Sequence, residues 1–245
     1  KCKLPWYQNL HVRRGPSLRI STAEFVSIMA MLVATVAISI DGLLPALSII
    51  AEELTPLRPN NAQIILSSFV AGMAIGTLIV GPLSDSYGRK PIIYGGAFIY
   101  ILTSVVCVVS QSLELILVAR FLQGVGASAP RVVAQALVRD FYKGREMARI
   151  SSFIMIVFAL VPAVAPLLGS FVMFAFDWRA IFFMFIAFVA ISTIWMGLRI
   201  NETISEENCV KFNLRNLISA FREVLSHPLI LSAVITLVFA YSILF

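Results

Sequence analysis

Seven long apolar stretches fill this chain, and its charged residues gather in the breaks between them. The stretches run Ala23–Ile40 (continuing past Asp41 to Ile50), Gln63–Pro82, Pro91–Ser110, Leu113–Val138, Met147–Phe176, Ala180–Leu198 and Leu229–Phe245. A helix needs about 20 apolar residues to cross the hydrocarbon core, and in lipid its backbone must satisfy its own hydrogen bonds. The pattern therefore predicts an all-α integral membrane protein. Its expected parts are a tail at residues 1–22, a six-helix transmembrane bundle at 23–199, a linker at 200–228 and a partial seventh span at 229–245.

Charge supports that reading and orients it. Charged residues make up 13% of the chain, against about 25% in an ordinary soluble domain. Of the 19 Lys and Arg residues, 15 fall in the N-terminal tail or in the second, fourth and sixth breaks. The opposite side holds Arg58 and Arg179, while Arg120 and Arg131 lie inside one span. Positive residues favour the cytoplasmic side, so the bias predicts a cytoplasmic N-terminus in an inner membrane. The net charge of +6 is thus a membrane-orienting feature, with anionic lipid as partner and no nucleic-acid patch. Cys2, Cys107 and Cys209 form no disulfide framework or metal spacing, and His11 and His227 stand far apart. No cofactor, metal site or enzyme centre is expected, since nucleotide loops, zinc motifs and clustered nucleophiles are all missing from the sequence. Asn201-Glu202-Thr203 matches a glycosylation acceptor, but on the cytoplasmic side it is expected to be inert.

Within 200–228, Leu214, Leu217, Ile218, Phe221, Val224 and Leu225 recur at helical spacing. That predicts an amphipathic surface helix linking two bundles, with a plain solvated loop as the alternative.

Ionisable residues inside spans are costly and point to function. Asp41 lies roughly 24 Å from the cytoplasmic start of the first span, and Pro45 predicts a bend just beyond it. Arg120 lies about 10 Å into a span that enters from the outer side. Acid and base thus reach similar depth. A carboxylate with a movable cation nearby takes up a proton when the pair separates and releases it when the pair forms. The alternative is that Asp41 ends its span and Arg120 snorkels outward. Arg131 lies about 27 Å into the same span as Arg120, where it serves either as an anchor or as a substrate contact. Gln123, near Arg120, is a further candidate for substrate contact or anchoring. Gly72, Gly76 and Gly124 permit close helix packing. Pro162 and Pro166, with Gly169 nearby, predict a kinked or loosened fifth span.

The segment Gly81-Pro82-Leu83-Ser84-Asp85-Ser86-Tyr87-Gly88-Arg89-Lys90-Pro91 resembles the signature loop of the major facilitator superfamily, except that Ser86 stands where arginine is usual. The resemblance implies a cytoplasmic gate built on Gly81, Asp85, Gly88, Arg89 and Lys90. Asp85 is expected to pair with Arg89 one turn on, or to face a helix N-terminus. Arg120-Phe121-Leu122-Gln123-Gly124-Val125-Gly126 resembles the fourth-helix motif of the family's proton-coupled antiporters, which implies a proton-coupling role for Arg120. The fifth span resembles their antiporter motif loosely, with Val161, Ala165 and Ser170 where glycines are common. Asp41-Gly42-Leu43-Leu44-Pro45, the Ala127–Arg131 segment, Val138-Arg139-Asp140 and the double-proline span narrow the resemblance to the Bcr/CflA group of drug efflux transporters.

That implies a six-helix bundle of two inverted three-helix repeats, with Asp41 and Arg120 on equivalent helices and facing the missing half. It also implies proton-coupled export of drugs or small amphipathic metabolites. A facilitator, an importer or a non-transporting scaffold is the alternative. Since such transporters have twelve spans, the chain is expected to be a fragment that needs its C-terminal half, or self-association, to work.

Overall fold

The computed structural model describes residues 20–54 and 59–202, together with Ser232 and Thr236. Every regular element among these residues is helical. Helix α1 spans Thr22–Asp41, and Ser21 caps it by accepting from the Glu24 amide at 3.1 Å. A 3-10 turn at Leu44–Ala46 follows, then α2 at Leu47–Leu54. The break falls where Pro45 enters, so the predicted bend just past Asp41 is present. Helices α3 (Ile64–Tyr87), α4 (Arg89–Val109), α5 (Leu113–Phe141), α6 (Gly144–Ala175) and α7 (Ala180–Arg199) complete the bundle. Among the described residues six helical segments are long and apolar enough to cross a membrane, the first counted from Thr22 through Leu54.

Several helices run beyond the apolar stretches that announced them. Helix α3 continues through Pro82 and Asp85 to Tyr87, so the acid of the charged loop is itself helical. Helix α5 ends at Phe141, one residue past Asp140. Helix α6 remains one element through Pro162 and Pro166. Pro162 is exposed and Pro166 half-buried, while Ala165 and Gly169 are buried, so the small residues rather than the prolines make the packed face.

The helix pairings repeat with a regular exchange. Helix α1 lies against α6 as α5 lies against α3, and α1 meets α7 as α5 meets α4. Exchanging the first three spans for the last three preserves these pairings. Because each half has an odd number of spans, the second runs opposite to the first, which is the inverted repeat. Lipid tails are as apolar as leucine, so the helices associate through close contact rather than through the hydrophobic effect. A Cβ on Gly72 would overlap the Phe121 carbonyl, and one on Gly124 would overlap the Phe69 carbonyl. These two glycines interlock α3 with α5, as Gly76 does further along against Val125 and Ser128. Gly169 of α6 likewise sits directly against the Gly42 backbone at the end of α1. Helix α1 is the most enclosed, with every residue from Leu32 to Ser39 buried.

Seven of the ten basic residues among those described collect at one end: Arg89, Lys90, Arg139, Lys143, Arg145, Arg149 and Arg199. This basic end holds the start of α1, and the far end holds Glu53, Asp177 and Arg179. The expected tail, apart from Ile20–Thr22, and the linker beyond Glu202 lie outside the described residues, as does the expected seventh span apart from two positions. Those two, Ser232 and Thr236, are helical, and the Thr236 hydroxyl donates to the Ser232 carbonyl at 2.8 Å.

Candidate functional site

Two polar clusters interrupt the apolar bundle. The first lies deep within it, on α1, α4 and α5. Arg120 has no solvent exposure. Its Nη1 donates to Gln123 Oε1 at 2.7 Å and its Nη2 to the Ser39 carbonyl at 2.8 Å. Its guanidinium lies over the Phe69 ring, 4.5 Å from the centroid. Gln123 Nε2 continues the chain by donating to Ser104 Oγ, whose hydroxyl donates to the Tyr100 carbonyl at 2.7 Å. The Tyr100 hydroxyl in turn meets Ser39 Oγ. A closed circuit of hydrogen bonds therefore joins the three helices.

The Ser39 carbonyl explains why an arginine belongs here. It is one of the last four carbonyls of α1, which lack the usual intrahelical partner. Helix α1 has no basic residue in its own last turn to meet its negative end. Arg120 supplies that cation from α5. Hydrogen bonds to a charged group contribute about 1.5–3 kcal/mol each, more than neutral ones.

Asp41 lies two residues beyond Ser39, half-buried, and has no hydrogen-bond or ion-pair partner among the described residues. The similar depth expected for the acid and the base is therefore present, but Arg120 binds the backbone of α1 and not the Asp41 carboxylate. Arg120 was also expected to line an open face of the bundle, but it does not, because the α1 carbonyl and the Phe69 ring hold it inside. It does not snorkel either. Arg131 is half-buried and points its Nη1 at Met73 Sδ, 3.3 Å away on α3.

The second cluster is at the basic end. Arg89 is 8% exposed and joins three elements. Its Nη1 pairs with Asp85 of α3 and donates to Ser84 Oγ at 2.7 Å, and its Nε donates to Asp140 of α5 at 3.1 Å. Gly88 between α3 and α4 has φ 98°, a conformation that L side chains rarely adopt. Lys90 Nζ donates to the Gly197 carbonyl of α7 at 2.8 Å. The Arg89 and Lys90 amides donate to Glu202 just beyond α7, both at 2.9 Å. Asp85 thus takes the arginine, as expected, while the helix N-terminus goes to Glu202. Gly81 has no neighbour within 4 Å of the space a Cβ would fill. Nearby, Arg199 at the end of α7 pairs with Glu24 at the start of α1.

Between the first cluster and the basic end lies a cavity of about 280 Å3 among α1, α5 and α6. Its walls include Val33, Gln135, Arg139, Met147, Ser151 and Met155. Mixed apolar, amide and cationic walls with flexible methionines suit an amphipathic guest. At the far end Arg179 pairs with Glu53 at 2.8 Å and Asp177 at 3.1 Å and lies over Trp178, whose Nε1 also donates to Glu53 at 2.7 Å. The hydrogen bond to Glu53 raises the Arg179 pKa.

Asp140, Glu202, Ser39, Tyr100 and Ser104 were not singled out as site residues by their sequence context. Asp140 stood only in a segment that narrowed the resemblance, and Glu202 in an inert acceptor triplet. Their partners lie 51 and 113 residues away, beyond the reach of any spacing rule.

The sequence profile of the Major Facilitator Superfamily matches residues 27–245. The chain belongs to this superfamily. Membership makes it a multi-pass membrane protein from a family of transporters, not of enzymes. It is 34% identical over 194 residues to the Bicyclomycin resistance protein homolog of Haemophilus influenzae, covering 79% of this chain and 48% of that protein. It is 37% identical over 144 residues to the Multidrug resistance protein MdtL of Escherichia coli O157:H7, covering 58% of this chain and 37% of that relative. The chain therefore spans half or less of the curated relatives' length. The human organic anion transporter MFSD10 superposes with a TM-score of 0.64 over 81% of this chain and 53% of that one, at 17% identity. That likeness supports the facilitator fold.

Proposed function

We propose that this chain is the N-terminal half of a proton-coupled exporter of drugs or small amphipathic metabolites, with its N-terminus in the cytoplasm of a cell with an inner membrane. The observation that carries the reading is the fully buried Arg120 fixed to Ser39 in the last turn of α1, two residues before Asp41, which has no partner among the described residues. A carboxylate at that depth is costly to ionise unless a cation or water reaches it. Sliding of α1 against α5, which breaks the Arg120–Ser39 bond, changes the distance between Asp41 and the guanidinium, and so changes the acid's proton affinity. That gives coupling without a cofactor or metal.

The cytoplasmic gate is assigned to Gly81, Asp85, Gly88, Arg89 and Lys90. Arg89 ties α3 to α5 through Asp85 and Asp140, so α3 and α5 are held together in this state of the gate. Gly72, Gly76, Gly124 and Gly169 keep the half rigid, and Pro162 and Pro166 mark α6 as the helix that adjusts. Arg131 is assigned to substrate contact or anchoring, whereas Gln123, with no exposure and both ends of its amide bonded to Arg120 and Ser104, is assigned to anchoring alone and not to substrate contact. The names of the two resistance relatives support efflux as the direction. The positive-inside bias supports the orientation.

The test uses the full-length protein in everted membrane vesicles. Asp41→Asn is expected to abolish proton-driven drug accumulation while membrane insertion stays normal. Normal pH-driven transport by that variant would remove Asp41 from the proton path. Transport that ignores the proton gradient in the parent protein would make it a facilitator.

A further inference from the structure

The start of α4 and the end of α7 cap one another. Helix α4 begins Arg89-Lys90-Pro91, so among its first three positions only Arg89 and Lys90 carry an amide proton. These are donors that a helix cannot satisfy by itself. Glu202 takes both, one with each carboxylate oxygen, at 2.9 Å. Lys90 returns the contact by donating from Nζ to the Gly197 carbonyl, among the last turn of α7. Gly88 completes the fit, because a Cβ there would stand 3.1 Å from Glu202 Oε2. A negative carboxylate at a helix N-terminus and an ammonium at a C-terminus both match the helix dipoles.

We infer that Glu202 is a positioning residue of the Asp85–Arg89–Asp140 latch. It pins the backbone of Arg89, and so aims the guanidinium at two carboxylates on two other helices. Arg89 is bonded at its amide, Nε and Nη1 together. Removing the amide anchor lets the first turn of α4 fray and leaves the guanidinium free to leave Asp140. The carboxylate that holds the anchor stands three residues past the end of α7, where the chain departs toward residues 203–245. The substrate is not touched, so Glu202 affects turnover and not substrate affinity. This last step rests on the transport reading, whereas the anchoring of Arg89 does not.

The experiment has two arms. In the first, the 245-residue chain in lipid nanodiscs is followed by amide-resolved hydrogen exchange. Glu202→Ala is expected to speed exchange at Arg89 and Lys90 about tenfold or more, with α5 and α6 unchanged. Glu202→Asp is expected to restore protection in part. In the second arm, Glu202→Ala in the full-length protein is expected to lower the maximal transport rate several-fold at an unchanged half-saturating substrate concentration. Adding Lys90→Ala is expected to cost no more than either change alone. Unchanged exchange at Arg89 and Lys90 overturns the anchor. Faster exchange with unaltered turnover reduces Glu202 to a structural cap and overturns its role in the latch. A raised half-saturating concentration at an unchanged maximal rate also overturns that role. A parent protein that moves no substrate refutes the transport reading, and the exchange arm still decides the anchor.

Discussion

Arg120→Lys is the sharpest test of the buried circuit, because it keeps the charge and removes the geometry. The guanidinium serves Gln123 Oε1 and the Ser39 carbonyl from two different nitrogens while lying over Phe69. A single ammonium on a shorter stem cannot meet all three, and lysine does not stack on an aromatic face as arginine does. Loss of one charge-assisted bond costs about 1.5–3 kcal/mol. Loss of the stacked cation adds about 0.5–2 kcal/mol. Arg120→Lys should therefore destabilise the bundle by roughly 2–5 kcal/mol. Equilibrium unfolding of the purified chain in mixed micelles measures this directly. Gln123→Leu provides the matching half of a double-mutant cycle, since it strands Nη1. The coupling energy between the two should exceed about 0.5 kcal/mol, the usual scatter of independent sites. Additive effects, or an Arg120→Lys change below about 0.5 kcal/mol, would refute the claim that Arg120 holds α5 to the end of α1.

Three further outcomes are expected. Asp85→Asn and Gly88→Leu in the full-length transporter should each slow turnover more than they weaken drug binding, as read by transport rate against equilibrium binding of a labelled substrate, because the latch does not line the cavity. Gly72→Leu should destabilise the bundle by about 1–3 kcal/mol in the same micelle assay, since its side chain must displace the Phe121 backbone; no effect would mean that α3 and α5 are further apart than described. The isolated 245-residue chain in liposomes should show no saturable, pH-driven uptake of a fluorescent amphiphile, and such uptake would mean that this half works alone or as a self-assembled pair.

Much of this protein follows from one physical fact, that hydrocarbon cannot hydrogen-bond a backbone. Apolar run length therefore predicts helices, their number and their approximate ends. The same constraint made Arg120 conspicuous, since a cation within a span demands a reason. Pro45 announced the break after Asp41 because a missing amide acts locally. The pairing of Asp85 with Arg89 was legible too, since four residues is one helical turn. What Arg120 binds was not legible. Its partner is a backbone carbonyl 81 residues away, and every residue has a carbonyl, so composition carries no mark of it. Asp140 and Glu202 were hidden for a related reason. Each is an ordinary acid near a helix end, distinguished only when packing brings it to Arg89 or to the amides of α4. The sequence by itself determined the spans, their alternation and the residues that do not belong in lipid. Only the tertiary structure decided which helix end each charge satisfies, because that depends on glycine-set distances between helices rather than on spacing along any one of them.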